Sequence, residues 1–204
     1  MTISRRGLLL GLPLFLAGCQ SMPNQQAMYG DLPDEPHPLK KVPIEKIKPE
    51  LRRQQVAYET THPAGTVVVD TPARRLYYVL GDGQAMRYGI GVGRNGYALA
   101  GNAYIGRKAE WPTWTPTPNM LRRDPEKNLK YAGGLPGGPN NPLGARAMYL
   151  YRNGNDTMFR LHGTNQPWSI GQAMSSGCVR MMNHDVIDLY ERVTVGTKVV
   201  VLQA

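Results

Sequence analysis

The sequence predicts a mainly β domain over residues 65–204, with one or two short helices. From Gly65 onward, short runs of β-branched and aromatic residues alternate with turn residues, which is typical of strands. Two of the turns, Asp82-Gly83 and Asn153-Gly154, have residue pairs that favour tight hairpins. Roughly eight such runs fit in one domain that is large enough to bury a core.

Residues 1–19 have the pattern of an export signal. Arg5 and Arg6 precede an apolar run that is too short to cross a hydrocarbon layer of about 30 Å as a helix. The arginine pair also resembles a twin-arginine signal. Leu-Ala-Gly-Cys, ending at Cys19, resembles a bacterial lipobox, in which the cysteine is acylated and becomes the new N-terminus. We therefore expect a lipoprotein held on the inner or outer membrane in the periplasm; a plain signal peptide with a chance cysteine is the alternative.

Residues 20–64 are rich in proline and carry scattered charges with few large apolar side chains. Such a composition buries too little surface to offset the entropy of ordering the chain. We expect a largely disordered tether, with one short helix within residues 44–58. A tether of this kind would let an anchored domain reach away from its membrane.

Within residues 65–204, the longest irregular segment spans residues 112–144 and is rich in Pro, Gly and Asn. A connection of that length favours a lid or a binding wall. Asn183 is suited to cap a helix to about Val193, with Asp185 in its first turn. Seven runs predict strands: 66–70, 75–80, 84–93, 103–111, 145–152, 157–162 and 198–202.

The chain is basic, with a formal net charge of +9 at pH 7. A basic balance favours anionic partners such as nucleic acid, a membrane surface or an acidic polymer. Export, together with the lack of an aromatic-basic RNA-binding pattern, argues against nucleic acid. Outside a bacterial inner membrane the abundant anionic polymer is the cell wall; a basic surface that serves solubility is the alternative.

The second cysteine of the chain, Cys178, lies in the sequence SSGCVRM. If Cys19 is acylated or removed, no other cysteine remains to form an internal disulfide with Cys178. Such a side chain is either a buried, inert core residue or a reactive thiol. Because a spare thiol is a liability in an oxidising compartment, its presence in an exported protein favours reactivity.

His162 is the strongest candidate partner for this thiol. It ends a predicted strand and is followed by Gly163, which leaves room around the ring. An adjacent imidazolium would lower the pKa of the thiol and donate a proton to a leaving amine. Gly177 permits a tight bend whose N–H groups would face an oxyanion. The other histidines lie in the predicted tether or at the predicted helix start: His37, His62 and His184.

These residues favour a Cys-His acyl-transfer site, and two alternatives stay open. Cys178 is an inert core residue in the first. In the second, His162, Cys178 and His184 form a zinc site, for which no fourth ligand is evident.

Residues 162–201 resemble the signature of the L,D-transpeptidase (YkuD) catalytic domain, in its periplasmic ErfK/YbiS-like branch. The shared pattern runs His-Gly-Thr, Ser-Ile-Gly, Ser-x-Gly-Cys-hydrophobic-Arg, Asp-Val and Gly-Thr before a final strand. Upstream, WPTWTPTPNM and GLPGGPNNPLG resemble the proline-containing motifs of that branch. The resemblance covers roughly residues 65–202, which is nearly all of the predicted domain.

The resemblance implies a YkuD-like β-sandwich with the cysteine on a turn above a groove. It implies that Cys178 is the nucleophile that forms a thioester and that His162 is the general base. The backbone N–H groups of Gly177 and Cys178 would stabilise the oxyanion. Arg180 would hold a substrate carboxylate, with a structural salt bridge as the alternative. Further substrate contacts are expected at Gly163, Trp168, Ser175 and Ser176, with core packing as the alternative for the tryptophan.

Many members of the family have Ser-His-Gly-Cys, whereas this chain has Ser176 in place of that second histidine. Any role of a histidine there is therefore absent. What orients the ring of His162, a carbonyl or a side chain, stays open.

The family's substrate class implies attack on a peptidoglycan stem tetrapeptide, release of D-Ala, and transfer of the acyl group to an amine, with no metal or cofactor. The acceptor would be a second stem peptide, an outer-membrane protein or lipoprotein, a free D-amino acid or water. We expect a monomer. An L,D-carboxypeptidase on the same site and a catalytically silent peptidoglycan-binding lipoprotein are the alternatives.

Overall fold

The structure is a computed structural model that describes residues 24–93, 99–175 and 178–203. The predicted signal and Cys19 lie outside these residues. Eleven strands are described: β1 (Gln54–Ala57), β2 (Val67–Asp70), β3 (Arg75–Gly81), β4 (Gln84–Gly89), β5 (Val92–Gly93), β6 (Gly101–Glu110), β7 (Arg146–Arg152), β8 (Asn155–His162), β9 (Ala173–Ser175), β10 (Val179–Arg180) and β11 (Lys198–Leu202). Four α-helices are described: α1 (Gln25–Met28), α2 (Pro118–Arg123), α3 (Pro125–Asn128) and α4 (Asn183–Arg192).

Nine of these strands form one sheet in the order β1-β4-β3-β2-β11-β6-β7-β8-β10, and β5 pairs with β9 in a small second sheet. Most neighbours in the large sheet are antiparallel, but β11 runs parallel to β2 and β10 runs parallel to β8. The prediction of a mainly β fold with a few short helices is confirmed. Within the described residues, no helix has the length and apolar character needed to span a bilayer.

The main core lies between the large sheet and α4. Apolar side chains of β2, β3, β4, β6, β7 and β8 are almost fully buried there, and Val186 and Leu189 of α4 pack against them. The end of α4 is held by Lys108 on β6, whose Nζ donates to the carbonyls of Tyr190 and Val193 at 2.7 and 2.6 Å. A cation at the C-terminal end of a helix also stabilises the helix dipole.

The prediction of a largely disordered tether is wrong over residues 24–57. Strand β1 pairs with the edge strand β4. Tyr29 is 1% exposed and packs in a small apolar cluster with Ile170 and Met182. Arg53 forms an ion pair with Asp188 of α4 at 2.8 Å. The composition did not indicate this packing, because the buried surface depends on a few side chains that have complementary sites elsewhere in the chain.

Candidate active site

Two neighbouring strands bring Cys178 and His162 to one face of the sheet. In the parallel pair of β8 and β10, Leu161 lies opposite Val179 and His162 lies opposite Arg180. Side chains alternate between the two faces of a strand, so Arg180 and His162 share a face. Cys178 directly precedes β10, two positions before Arg180. All three side chains line one groove with a volume of about 360 Å³.

The ring of His162 is buried, with 4% of its surface exposed. Its Nδ1 lies 2.6 Å from the carbonyl oxygen of Gly163, to which it donates as the Nδ1–H tautomer. This tautomer leaves the lone pair of Nε2 available as a base. A backbone carbonyl therefore orients the ring, which answers the question that the sequence left open.

Gly163 is required by close packing rather than by a turn. A Cβ at this position would collide with Oδ1 of Asn183 and would lie 3.0 Å from the nitrogen of Ala145. That same Oδ1 accepts hydrogen bonds from the backbone nitrogens of Ala145 and Thr164, at 3.0 and 3.1 Å. The predicted helix cap is thus displaced by one residue: Met182 occupies the cap position, and Asn183 instead joins three chain segments beside His162.

Burial determines the charge state of the pair. It lowers the pKa of His162 to about 4, and the positive charges of Arg180 and Arg160 act in the same direction. Burial also raises the pKa of the Cys178 thiol, and a hydrogen bond from the backbone of Arg160 offsets this only in part. The thiol Sγ donates to the carbonyl of Met158 at 3.8 Å. Both directions favour a neutral resting pair, and the imidazolium that would lower the thiol pKa stays a prediction.

Arg180 places a positive charge in the groove. Burial lowers its pKa, and its Nε is buried with no hydrogen-bond partner among the described residues. Its backbone is fixed by reciprocal hydrogen bonds with Gly91, at 2.8 and 2.9 Å. The structure records no ion pair between Arg180 and a described carboxylate, so the structural salt bridge considered from the sequence is not seen in this part of the chain.

Residues 112–144, here called the groove loop, form much of the wall of the groove. Asn141, which is 1% exposed, braces this loop from inside by donating to the carbonyls of Pro112 and Leu135, each at 2.9 Å. The groove loop contributes aromatic, apolar and basic side chains to the wall: Trp114, Met120, Arg123, Lys127, Tyr131 and Leu135. Arg123, Lys127 and Tyr131 are site residues that the sequence did not predict, although their position in a long irregular segment rich in proline was the available signal.

The other residues that the sequence predicts at the site are Trp168, Ser175, Ser176 and Gly177. Trp168 is 65% exposed and does not line the groove, and its proposed substrate contact stays a prediction. Ser175 ends β9, whereas Ser176 and Gly177 lie outside the described residues, so their roles also stay predictions.

The zinc alternative is not supported among the described residues, where no group of three His, Cys, Asp or Glu side chains is placed to hold a metal ion. His184 lies apart from the groove, and its Nε2 donates to the carbonyl of Gly30 at 2.8 Å.

Comparison with known proteins agrees with the motif-based resemblance. A family model described as the L,D-transpeptidase catalytic domain (YkuD) matches residues 64–201. The chain is 37% identical over 139 residues to the probable L,D-transpeptidase ErfK/SrfK of Escherichia coli K12, covering 67% of this chain and 43% of that protein. It is 35% identical over 148 residues to the probable L,D-transpeptidase YbiS of the same strain, covering 72% of this chain and 47% of that protein. The chain thus spans less than half the length of these two relatives.

A solved structure from Brucella melitensis is also similar. It is 50% identical, with a TM-score of 0.54, and the match covers 78% of this chain and 99% of that chain. That protein is described as a probable carnitine operon oxidoreductase, caia. The family match and the two Escherichia coli relatives confirm the resemblance to the YkuD domain and its ErfK/YbiS branch.

Proposed function

Since the chain belongs to the L,D-transpeptidase (YkuD) catalytic domain family, we propose that it is a peptidoglycan L,D-transpeptidase with Cys178 as its nucleophile. One observation carries the proposal: a single groove holds the thiol of Cys178, the buried and oriented imidazole of His162, and the guanidinium of Arg180. A nucleophile, a base and an anion-binding group are the parts that acyl transfer from an acidic peptide requires.

The donor is a stem tetrapeptide that lies along the groove. Its terminal carboxylate, or that of the diaminopimelate side chain, is an anionic partner for Arg180, which meets no described carboxylate of the protein. Trp114 and Tyr131 offer apolar surface on the groove loop side. Lys127 and Arg123 add positive charge, which suits a peptide that carries several carboxylates.

Acylation begins when the sulfur of Cys178 attacks the carbonyl carbon between diaminopimelate and the terminal D-Ala. As the C–S bond forms, the thiol proton moves to Nε2 of His162, so that charge develops only while the substrate is bound. The backbone N–H groups of Gly177 and Cys178 hold the oxyanion. The C–N bond then breaks, and the imidazolium returns the proton to the leaving nitrogen of D-Ala.

Transfer repeats these steps in reverse with an amine acceptor. The amine attacks the thioester carbonyl and gives its proton to His162; the C–S bond breaks, and the sulfur takes that proton back. A second stem peptide as acceptor yields a 3–3 crosslink, and an amine of an outer-membrane protein or lipoprotein yields a protein attached to the wall. No step requires a metal or an organic cofactor.

The wall lies outside the cytoplasm, and the N-terminal sequence suits a protein that works there. We propose export through residues 1–19, acylation at Cys19 and retention in the periplasm on the inner or outer membrane. We also propose that the enzyme acts as a monomer.

The test is product analysis by mass spectrometry with residues 20–204, since the segment before residue 65 is part of the fold. Incubation with a purified disaccharide-tetrapeptide should release D-Ala, form 3–3 dimers and leave an acyl adduct on Cys178. Cys178→Ala should abolish all three products. Release of D-Ala that is insensitive to added amines would identify an L,D-carboxypeptidase, and wall binding without any product would identify a silent binding lipoprotein.

A further inference from the structure

We propose that Glu35, which lies before the family-matched residues 64–201, is a positioning residue that holds the two ends of the groove loop together. The sequence assigned this region to a tether, and the resemblance to the YkuD domain gives it no role. The effect of Glu35 on substrate binding rests on the proposed function. Its role in holding the two ends of the groove loop together does not.

The carboxylate of Glu35 contacts both residues that flank the groove loop. Its two oxygens accept hydrogen bonds from the two terminal nitrogens of Arg146, at 2.7 and 2.8 Å. The oxygen at 2.8 Å also accepts from Nε1 of Trp111, at 2.9 Å. Trp111 directly follows β6 at the start of the groove loop, and Arg146 begins β7 at its end. One side chain therefore joins the entry of the loop to its exit.

This ion pair is shielded from water. Arg146 is 5% exposed, and the side chain of Glu35 is 13% exposed. Burial raises the pKa of Glu35, but hydrogen bonds from Arg146 and Trp111 outweigh burial, so the pKa lies below its ordinary value. Among the described residues, the other carboxylate that lies within 4 Å of Arg146 is that of Glu110, at 3.8 Å, and its side chain is 55% exposed. Removing the charge of Glu35 would leave a buried guanidinium without a close partner, which is strongly unfavourable.

Trp111 needs this support because its backbone is strained. Its φ of +38° lies in the left-handed region, which a bulky side chain adopts only when its surroundings impose it. The nitrogen of Trp111 donates to the carbonyl of Ala145 at 2.8 Å, across the base of the loop. The ring is held by Glu35 and by an edge-on contact with His37, at 4.7 Å between ring centroids. Loss of Glu35 would therefore release the residue that sets the direction of the groove loop.

The exit of the loop lies next to the base. The carbonyl of Arg146 accepts a hydrogen bond from the nitrogen of Gly163 at 3.0 Å, and Ala147 lies opposite His162 in the pairing of β7 with β8. Glu35 touches neither the thiol nor the imidazole. It acts through Arg146 and Trp111, so its loss should weaken substrate binding more than it slows the chemical step.

The experiment compares Glu35→Gln with Glu45→Gln in the chain of residues 20–204. Glu45 lies in the same N-terminal segment but is exposed, so its substitution is a matched control. Hydrogen exchange followed by mass spectrometry reports the groove loop without any need for turnover. Glu35→Gln should speed exchange at least tenfold in peptides of residues 112–144 and leave β2, β3 and α4 unchanged. It should raise KM for the stem peptide about tenfold with kcat changed less than threefold, whereas Glu45→Gln should change neither.

Unchanged exchange in the groove loop would overturn the proposal. So would faster exchange that is spread equally over β2, β3 and α4, because that pattern means general destabilisation. If the parent chain turns over no peptide, the proposed function fails, and the exchange experiment still tests Glu35 by itself.

Discussion

The protein buries two histidines in similar ways, and only one of them lies in the groove. His162 and His184 are 4% and 5% exposed, and each donates from one ring nitrogen to a glycine carbonyl, that of Gly163 or Gly30. Burial lowers the pKa of both rings, and a nearby arginine lowers each further. Burial and a displaced pKa thus do not separate a candidate catalytic histidine from a structural one.

The difference lies in the arginine beside each ring. Arg53, near His184, forms an ion pair with Asp188 at 2.8 Å and donates to the carbonyl of Met28 at 3.0 Å. Both arginines have a buried Nε without a hydrogen-bond partner among the described residues. Arg180, near His162, differs because it forms no ion pair with a described carboxylate and lines a cavity. A charge without an ion-pair partner beside a cavity is suited to a ligand, whereas removing one partner of a buried ion pair destabilises the fold.

The largest expected effect comes from the same substitution at the two rings. His162→Asn removes the proposed base and keeps a side chain that can still donate to a carbonyl. We expect turnover of the stem peptide to fall about 10³-fold, which is within the range for general acid–base catalysis. His184→Asn should stay within threefold of the parent. The measurement is the rate of D-Ala release at pH 7.5, with circular dichroism to verify that both variants fold.

The comparison between the two histidines fails if His184→Asn loses the release of D-Ala and His162→Asn keeps it. A folded His162→Asn that releases D-Ala at the parental rate would remove this ring from the mechanism.

The second prediction concerns the charge state of the thiol. The pKa of Cys178 is raised and that of His162 is about 4, so at pH 6 to 8 the thiol is protonated and the imidazole is neutral. Because the thiolate is the nucleophile, alkylation of Cys178 by iodoacetamide should speed up about tenfold for each pH unit over this range. The modification is followed by the mass of the intact protein.

A preformed thiolate–imidazolium pair would behave differently, since its alkylation rate would be nearly constant from pH 6 to 8. His162→Asn supplies the control. With a neutral pair the pH profile of the variant should keep the same slope, whereas an ion pair would lose its plateau when the ring is replaced.

The third prediction compares substitutions of Arg180 and Arg53. Arg180→Met keeps the length of the side chain and removes its charge. We expect KM for the stem peptide to rise about 10-fold to 100-fold, which corresponds to the loss of one charge-assisted hydrogen bond. The melting temperature should not fall, because burial already disfavours this unpartnered charge. Arg53→Met should do the opposite and cost about 3 kcal/mol of stability, because the fully buried carboxylate of Asp185 loses the cation 3.9 Å away, whereas Asp188 keeps its ion pair with Arg192. A stability loss at Arg180 equal to that at Arg53 would contradict the distinction.

The sequence predicted the parts of the fold that depend on local pattern. The bounds of β3 and β11 agree with the predicted runs within one residue. Runs of apolar and β-branched residues favour a strand whatever the strand packs against. Cys178 and His162 were predicted to meet from their motifs, and the parallel pairing of β8 with β10 places them beside one groove.

The sequence did not predict what depends on contacts between distant segments. Tyr29 and Arg53 appeared to belong to a tether, because the pocket and the carboxylate that receive them come from the far end of the chain. The sequence also did not predict that burial lowers the pKa of His162, since that shift depends on how much protein covers the ring. The residues next to His162 in the sequence do not determine how deeply its ring is buried.

The smallest expected effect on activity, and a clear one on stability, is that of His184→Ala. This change leaves the buried carbonyl of Gly30 without its donor and opens a gap beside Tyr29, whose ring lies 6.1 Å from that of His184. A lost buried hydrogen bond costs about 1–2 kcal/mol, which lowers the melting temperature of a domain of this size by about 3–6 °C. Thermal unfolding followed by circular dichroism measures the loss, and kcat/KM should stay within twofold of the parent. Because His184 joins α4 to the segment that also carries Glu35, an unchanged melting temperature would mean that this segment adds no stability through the helix. A tenfold loss of kcat/KM without a change in melting temperature would mean that His184 acts in the reaction. The contrast between the ion-paired Arg53 and the unpaired Arg180 would then fail as a guide to the site.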